Sequence, residues 1–181
     1  PNYVIDPNLD DHSRQCHEDL RGKNLYKILN FKENHHGYYY TSGENKFQGE
    51  FDFRKKCGYG GLYFADENNI ASFFGWGICY RRVYLCPDSK LVHVKDYNMN
   101  KYKADKFILG EKQSLTTEFM ERTYKLLKGT AITSDNNKIY NNTFNKSNFY
   151  SNKIIDNIEF IFNSYNLLEQ NNVQNFYLAR S

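Results

Sequence analysis

Three glycines in four residues, at positions 58–61, mark the stretch of this sequence best suited to approach a ligand closely. Glycine allows tight turns and lets the backbone come near a bound molecule. Such a run can cradle a phosphate, but here it lacks the lysine and hydroxyl pattern of a phosphate-binding loop. We therefore do not predict a nucleoside triphosphate site.

Histidine and cysteine side chains form a second group of candidates. Zinc prefers such ligands, but none of these residues has the paired spacing of a zinc site, so we predict no metal. Cys57 with His35 or His36 is an alternative nucleophile pair, although no flanking motif supports it. The potential ligands are His12, Cys16, His17, His35, His36 and Cys57.

The segments around the glycine run indicate how it is positioned. Residues 62–64 (Leu-Tyr-Phe) are typical of a short buried strand. Asp66 is a good N-cap for a helix whose apolar face includes Ile70 and whose end is at Gly75. Residues 78–86 follow as a strand rich in Tyr, Ile and Val. We therefore predict glycine turn, strand, short helix and strand in close succession.

This order resembles the poly(ADP-ribose) polymerase branch of the ADP-ribosyltransferases. In that family, a strand ending in Gly-Ile/Leu-Tyr-Phe-Ala-Asp carries the tyrosine that stacks on nicotinamide, and residues 61–66 match it nearly letter for letter. The resemblance implies an ADP-ribosyltransferase-like fold of curved antiparallel sheets. We predict no cofactor from the sequence itself; the resemblance implies NAD as the candidate, with Gly60, Gly61 and Tyr63 as the residues that would bind it.

The same resemblance implies three catalytic positions, which the family fills with His, Tyr and Glu. They correspond here to Lys27, Tyr63 and Asp105. Lysine positions its hydrogen bonds less well than imidazole, and aspartate reaches less far than glutamate, so two positions depart from the pattern. The family's His-Gly dipeptide also occurs at His36 and Gly37, in a predicted turn.

Each of these residues has a structural alternative. Tyr63 is equally typical of a core aromatic residue in a strand, and Lys27 of a solvated strand lysine. Asp105 is typical of a carboxylate in a turn or at the start of a strand.

A second resemblance covers more of the chain. From Leu25 to Lys112 the sequence resembles the N-terminal domain of many giant-virus ankyrin-repeat proteins. This resemblance indicates an origin and implies no particular activity. The segments that match are residues 26–29, 36–37, 60–64 and 104–110.

Composition limits the function classes. A chain of 181 residues is one domain, with or without an appendage. A net charge of +3, with scattered basic residues, makes nucleic acid an unlikely partner. Four cysteines without a CxxC pair indicate a reducing, intracellular setting, in the host cytoplasm or virion. No apolar run approaches a membrane span, and no signal peptide is present. The first residue is not methionine, as in a fragment of a longer protein.

We expect an α+β protein in four parts. Residues 1–24 form a polar arm with a short helix near 17–20, 25–129 the α+β domain, 130–152 an Asn-rich linker, and 153–181 an amphipathic C-terminal helix. Within the domain, Gly129 is the expected C-cap of a helix over 115–127. The remaining predictions are strands at 25–31, 38–40, 47–53, 91–95 and 106–109, and turns at 35–37 and 42–45.

Two function hypotheses follow. The first is a non-catalytic or diverged viral module that interacts with an unknown protein, for which a host protein is a candidate. The second is an active NAD-dependent ADP-ribosyltransferase that modifies a host protein or nucleic acid.

Overall fold

The computed structural model describes residues 3–96 and 99–136. Over these residues the chain folds as a mixed α+β structure with a seven-stranded antiparallel sheet. This confirms the predicted α+β class and the antiparallel sheet. The elements in chain order are α1 (Asp11–Leu20), β1 (Leu25–Leu29), β2 (Asn34–His35), β3 (Tyr38–Tyr39), β4 (Gly43–Lys46), β5 (Leu62–Asp66), a 3-10 helix (Ile70–Trp76), β6 (Cys79–Tyr84), β7 (Leu91–Asp96), β8 (Met99–Ala104), β9 (Lys106–Ser114) and α2 (Thr117–Asn136).

Strand β1 lies at the centre of the large sheet, whose order is β4-β9-β6-β1-β5-β8-β7. Because β1 has a neighbour on each edge and packing on each face, all five of its residues are buried. It pairs with β6 along its whole length but with β5 only at Leu25↔Asp66 and Tyr26↔Ala65. Strands β2 and β3 form a separate hairpin.

Two apolar clusters lie on opposite faces of β1, since successive side chains of a strand point to opposite faces. Leu25 and Leu29 belong to one cluster, and Tyr26 and Ile28 to the other. Helix α2 covers the second cluster through Phe119, whose ring stacks on Tyr80 at 3.9 Å between centroids. Burying each such side chain contributes about 1.5–3 kcal/mol.

The N-terminal segment is better packed than expected. Helix α1 begins six residues before the predicted helix, because the carboxylate of Asp10 accepts a hydrogen bond from the backbone of Ser13 and caps it. Ser13, Cys16 and Leu20 are buried on its inner face. The hydroxyl of Ser13 accepts a hydrogen bond from the backbone of Leu91, which fixes α1 to β7.

Several predicted boundaries are wrong in the first half of the sheet. The expected turn at 42–45 is largely strand β4, because its backbone pairs with β9. Residues 47–53, expected to be extended strand, contain no strand. Asp66 ends β5 and does not cap a helix; its carboxylate accepts from the side chain of Asn69 at 2.6 Å. Strand β8 had no counterpart in the sequence prediction.

Helix α2 continues through Gly129 to Asn136, so the predicted cap there is wrong. One exposed glycine costs a helix only about 1 kcal/mol, which is too little to end it. The predicted linker beyond 136 and the amphipathic helix at 153–181 lie outside the described residues. No helix within the described part of the chain is long and apolar enough to cross a membrane.

Candidate functional site

A cavity of about 780 Å³ opens where β1 and β5 stop pairing. Its wall is built from β1, the β2–β3 hairpin, residues of the 47–61 loop, β5, the 3-10 helix and Lys101 of β8. Side chains alternate along a strand, so Lys27 of β1 and Tyr63 of β5 point to opposite faces of the sheet. Both residues still line the cavity, because it lies in the gap where the two strands diverge.

The side chain of Lys27 lies in the wall of this cavity and is almost completely buried, with 4% of the residue exposed. Its Nζ atom donates to the backbone carbonyl of Tyr63 at 2.7 Å and lies 4.3 Å from the ring centre of Tyr40. Burial, with a smaller contribution from the charge of Lys101, lowers the pKa of Lys27 to about 7. Among the described residues, no carboxylate pairs with it.

Tyr63 lines the same cavity, and its side chain also packs against the buried cluster of Phe51, Val92 and Val94. Its hydroxyl donates to the carbonyl of Gly58 at 2.6 Å and accepts from the Gly58 amide at 2.9 Å. Burial raises the pKa of Tyr63 to about 12, so the phenol stays protonated at neutral pH. Since the hydroxyl is occupied by the glycine run, the ring is the part of Tyr63 that can contact a ligand. Lys101 Nζ lies 4.8 Å from its centre.

Two histidines of the β2–β3 hairpin line the cavity near Trp76. The ring of His35 contacts His36 at 4.2 Å and Trp76 at 5.5 Å between centroids. Its Nε2 atom is buried and has no hydrogen-bond partner among the described residues. Burial, and then the charge of Lys27, lower the pKa of His35 to about 4, so this ring is neutral at pH 7.

A buried ion pair holds this hairpin against the sheet. The guanidinium of Arg81, on β6, donates to both carboxylate oxygens of Glu33 at 2.7 and 3.1 Å. It also donates to the hydroxyl of Ser42 and the carbonyl of Gly110. The sequence shows the His36-Gly37 dipeptide but gives no sign of this contact, because its partners are 48 residues apart.

Asp105 lies away from the cavity, in the single residue between β8 and β9. Its carboxylate accepts from the backbone of Lys90 at 2.8 Å, and burial raises its pKa. The structure therefore brings Lys27 and Tyr63 to one cavity but not Asp105. The assignment of these residues to catalysis stays a prediction.

The two predicted cofactor-binding glycines differ in position. Gly61 lines the cavity, while Gly60 does not. Gly60 has a φ of +113°, and a Cβ there would lie 2.4 Å from the Cβ of Asp52. A Cβ on Gly61 would meet the side chain of Lys103 at 2.3 Å. Both positions thus require glycine for packing, whatever they bind.

The other histidine and cysteine candidates have separate environments. Inside the fold, Nε2 of His17 donates to the Ser89 carbonyl at 2.9 Å, and Nδ1 of the neutral ring accepts from the Tyr3 hydroxyl at 2.8 Å. Cys57 lines the cavity, 3.0 Å from the Nζ atom of Lys101. Within the described ranges, no three side chains of metal-binding type cluster together.

The charge of the cavity is one-sided. Lys27 and Lys101 line it with two histidines, and no Asp or Glu of the described residues does. Most of the remaining wall is apolar or aromatic. Aromatic faces beside cations suit a planar, negatively charged molecule.

Comparison with known proteins identifies relatives of this chain in Acanthamoeba polyphaga mimivirus. R868, which is named for ankyrin repeats, is 31% identical over 134 residues, which cover 72% of this chain and 63% of R868. R869, named only as an uncharacterized protein, is 36% identical over 95 residues, which cover 51% of this chain and 69% of R869. R896, also named for ankyrin repeats, is 35% identical over 107 residues, which cover 57% of this chain and 31% of R896.

The chain therefore belongs to the same family of giant-virus proteins as R869, which confirms the predicted viral resemblance. It spans less than two thirds of R868 and about a third of R896. No family model matches the chain. No solved structure matches it either, so the resemblance to ADP-ribosyltransferases stays a prediction.

Proposed function

We propose that this domain is a non-catalytic binding module of a giant-virus protein, on an ADP-ribosyltransferase-like fold. Its cavity takes a planar, anionic ligand of the NAD class. The observation that supports this proposal is the pairing of aromatic rings with Lys27 and Lys101 in a cavity that no described carboxylate lines. Its volume of about 780 Å³ lies in the range of small-molecule sites.

The aromatic wall provides the stacking part of this site. Tyr63 belongs to this wall, and its hydroxyl is bonded to Gly58, so the half-buried ring is the part of the side chain left for stacking. Lys101 supplies positive charge for a phosphate group, and its charge-assisted hydrogen bonds are about twice as strong as neutral ones. The amine of Lys27 adds a second N–H donor in the cavity wall. The combination matches the separate parts of a dinucleotide, which are flat rings joined by a pyrophosphate.

The second candidate, an active transferase, requires a carboxylate beside the reacting sugar to stabilise its positive charge. Asp105 is the residue that the family resemblance implies for this role, and it lies outside the cavity with its oxygen bound to the backbone of Lys90. This placement favours ligand binding over group transfer.

The proposed function also includes binding to another protein. R868 and R896 are named for ankyrin repeats, and such repeats stack into extended concave binding surfaces. We infer that the domain acts within a longer protein that contacts a protein of the infected cell. The host cytoplasm and the virion are its expected locations.

Titration with NAD, AMP and nicotinamide, followed by thermal unfolding, tests the ligand. A ligand at one hundred times its dissociation constant stabilises the folded state by about 2.7 kcal/mol, or roughly 5–10 °C in a chain of this size. Tyr63→Ala should abolish the shift, because it removes the stacking face, while Tyr63→Phe should keep most of it. Tyr84→Ala is the matched control, since Tyr84 is 45% exposed and does not line the cavity.

The proposal fails if millimolar NAD, AMP and nicotinamide leave the melting temperature unchanged. It also fails if Tyr84→Ala weakens the shift as strongly as Tyr63→Ala. Transfer of ADP-ribose to any acceptor by the wild-type domain, measured with labelled NAD, would establish the transferase instead.

A further inference from the structure

The amine of Lys27 has an environment that its charged form tolerates poorly. An ammonium group has three donors, and here one of them meets the carbonyl of Tyr63 and the group as a whole faces the ring of Tyr40. No carboxylate of the described residues offsets its charge. Removing a charge from water without such a partner is costly, so burial favours the neutral amine.

Two other lysines show how specific this environment is. Lys103 is fully buried, but its Nζ atom lies 3.3 Å from the carboxylate of Asp52, and it does not line the cavity. Lys101 lines the cavity but is partly exposed, with its Nζ atom beside the sulfur of Cys57. Lys27 alone among these three combines burial, access to the cavity and the lack of an acidic partner.

We propose that Lys27 is a carbonyl-capturing amine, which forms a reversible imine with a planar aldehyde that carries an anionic group. The inference rests on the same cavity as the proposed function and adds a covalent step to it. The lone pair of Nζ attacks the carbonyl carbon, and a C–N bond forms. One amine proton moves to the carbonyl oxygen as the π bond of the C=O group breaks. The carbinolamine so formed then loses its hydroxyl group and the remaining amine proton as water, which leaves a C=N bond. Hydrolysis reverses the step, and no oxidant or reductant is needed.

The surroundings of Lys27 select this class of aldehyde. A flat ring attached to the carbonyl carbon has aromatic neighbours in Tyr40 and Tyr63, which both line the cavity. The charge of Lys101 suits an anionic substituent such as a phosphate or carboxylate. His35 stays neutral at pH 7 and so adds no charge beside the amine.

The acid–base state of Lys27 supports the proposal. With a pKa of about 7, half of this amine is neutral and nucleophilic at pH 7. An exposed lysine, with a pKa near 10.4, is neutral in fewer than about one molecule in a thousand at the same pH. The expected selectivity over surface lysines is therefore large even before binding in the cavity adds to it.

Pyridoxal 5′-phosphate is a suitable probe, because it is a flat aldehyde with a phosphate. The purified chain is mixed with one equivalent at pH 7, reduced with borohydride to make the imine permanent, and analysed by peptide mass mapping. We expect a single adduct per chain, on Lys27. Lys27→Met, which matches the aliphatic stem of the side chain and removes the amine, should lower labelling at least tenfold. The control Lys95→Met, on an exposed strand position, should leave it unchanged.

A measurement on the wild-type chain keeps the test independent of how the variant folds. Labelling of Lys27 should rise with pH around a midpoint near 7, and NAD should protect it by occupying the same cavity. Labelling spread over exposed lysines, or labelling that persists in folded Lys27→Met, overturns the inference. No adduct in a chain that NAD still stabilises also overturns it but leaves the proposed function standing. Neither adduct nor stabilisation overturns both.

Discussion

The Nζ atom of Lys27 donates a hydrogen bond to the backbone carbonyl of Tyr63 at 2.7 Å, across the point where β1 and β5 diverge. The side chain thus satisfies an acceptor that a longer β1–β5 ladder would satisfy with a backbone amide. The same divergence opens the cavity. The side chain of Lys27 therefore both completes a hydrogen bond of the sheet and forms part of the candidate site.

The buried amine predicts an unusual dependence of stability on alkaline pH. The pKa of Lys27 is about 7 in the folded state and near 10.4 in the unfolded state. Between these values the unfolded chain binds a proton that the folded chain does not, so the free energy of unfolding rises with pH. Its contribution is on the order of 3–5 kcal/mol across that window.

Lys27→Met should remove this rise and make the domain more stable than wild type at pH 6, despite the lost hydrogen bond. Urea unfolding at pH 6, 8 and 9.5 measures the effect. Lys95→Met should retain the wild-type slope. Equal pH slopes for wild type and Lys27→Met would show that Lys27 is charged and solvated in the folded protein.

His35 predicts a loss of stability in acid. Its pKa is about 4 when folded and near 6.5 when unfolded, so the free energy of unfolding falls as pH drops through that range. His35→Phe should reduce this loss by about 1 kcal/mol at pH 4.5, allowing for partial exposure of the ring to solvent. The pKa values of His17 and His93 are also lowered, and these two residues contribute equally to the acid sensitivity of wild type and of His35→Phe. Identical acid unfolding curves would contradict the prediction.

Removal of the carboxylate of Glu33 should loosen the hairpin that carries the cavity histidines. Glu33→Gln leaves the buried guanidinium of Arg81 without its counter-charge, at an expected cost of about 3 kcal/mol in the free energy of unfolding. Glu44→Gln is the matched control, because Glu44 is exposed, and should change stability by less than about 0.5 kcal/mol. Denaturant unfolding compares the two, and equal effects would show that the ion pair contributes little.

The same chemical change should have opposite signs at two glycines. Gly60→Ala should cost about 2 kcal/mol, because the backbone there has a φ of +113° and the new methyl group would overlap Asp52. Gly129→Ala should add about 0.5–1 kcal/mol, since this position is helical and exposed. Melting temperatures of both variants check the pair. A Gly60→Ala variant with the melting temperature of wild type would mean that the backbone at positions 58–61 rearranges at little cost.

Asp105 separates the two function hypotheses. Asp105→Asn keeps an oxygen that can accept from the backbone of Lys90, and it lies outside the cavity. The dissociation constant for NAD should therefore change by less than about twofold, as expected for distant sites. Isothermal titration measures it. A tenfold loss of affinity for NAD would indicate that Asp105 contacts the ligand and would support the transferase hypothesis.

The local sequence was sufficient to predict several strands. Residues 62–64, 91–95 and 106–109 combine apolar, aromatic and β-branched side chains over strand lengths, and each lies within an observed strand. The resemblance to giant-virus proteins was also predicted from short segments of the sequence, and the mimivirus relatives confirm it. The strands could be predicted because they depend on residues close together in the chain, and family membership could be predicted because it is a property of the sequence itself.

The tertiary structure decided which charges are buried and which residues meet. The sequence was equally compatible with a solvated strand lysine at position 27, and the amine is buried because β1 lies between β6 and β5. The family resemblance implied one site for Tyr63 and Asp105, with Asp105 in place of the family's Glu. The structure places Asp105 outside the cavity, where its carboxylate accepts from the backbone of Lys90. The ion pair of Glu33 with Arg81 joins residues 48 positions apart. Pairing between distant segments has no local pattern, because its free energy depends on partners that only the folded chain brings together.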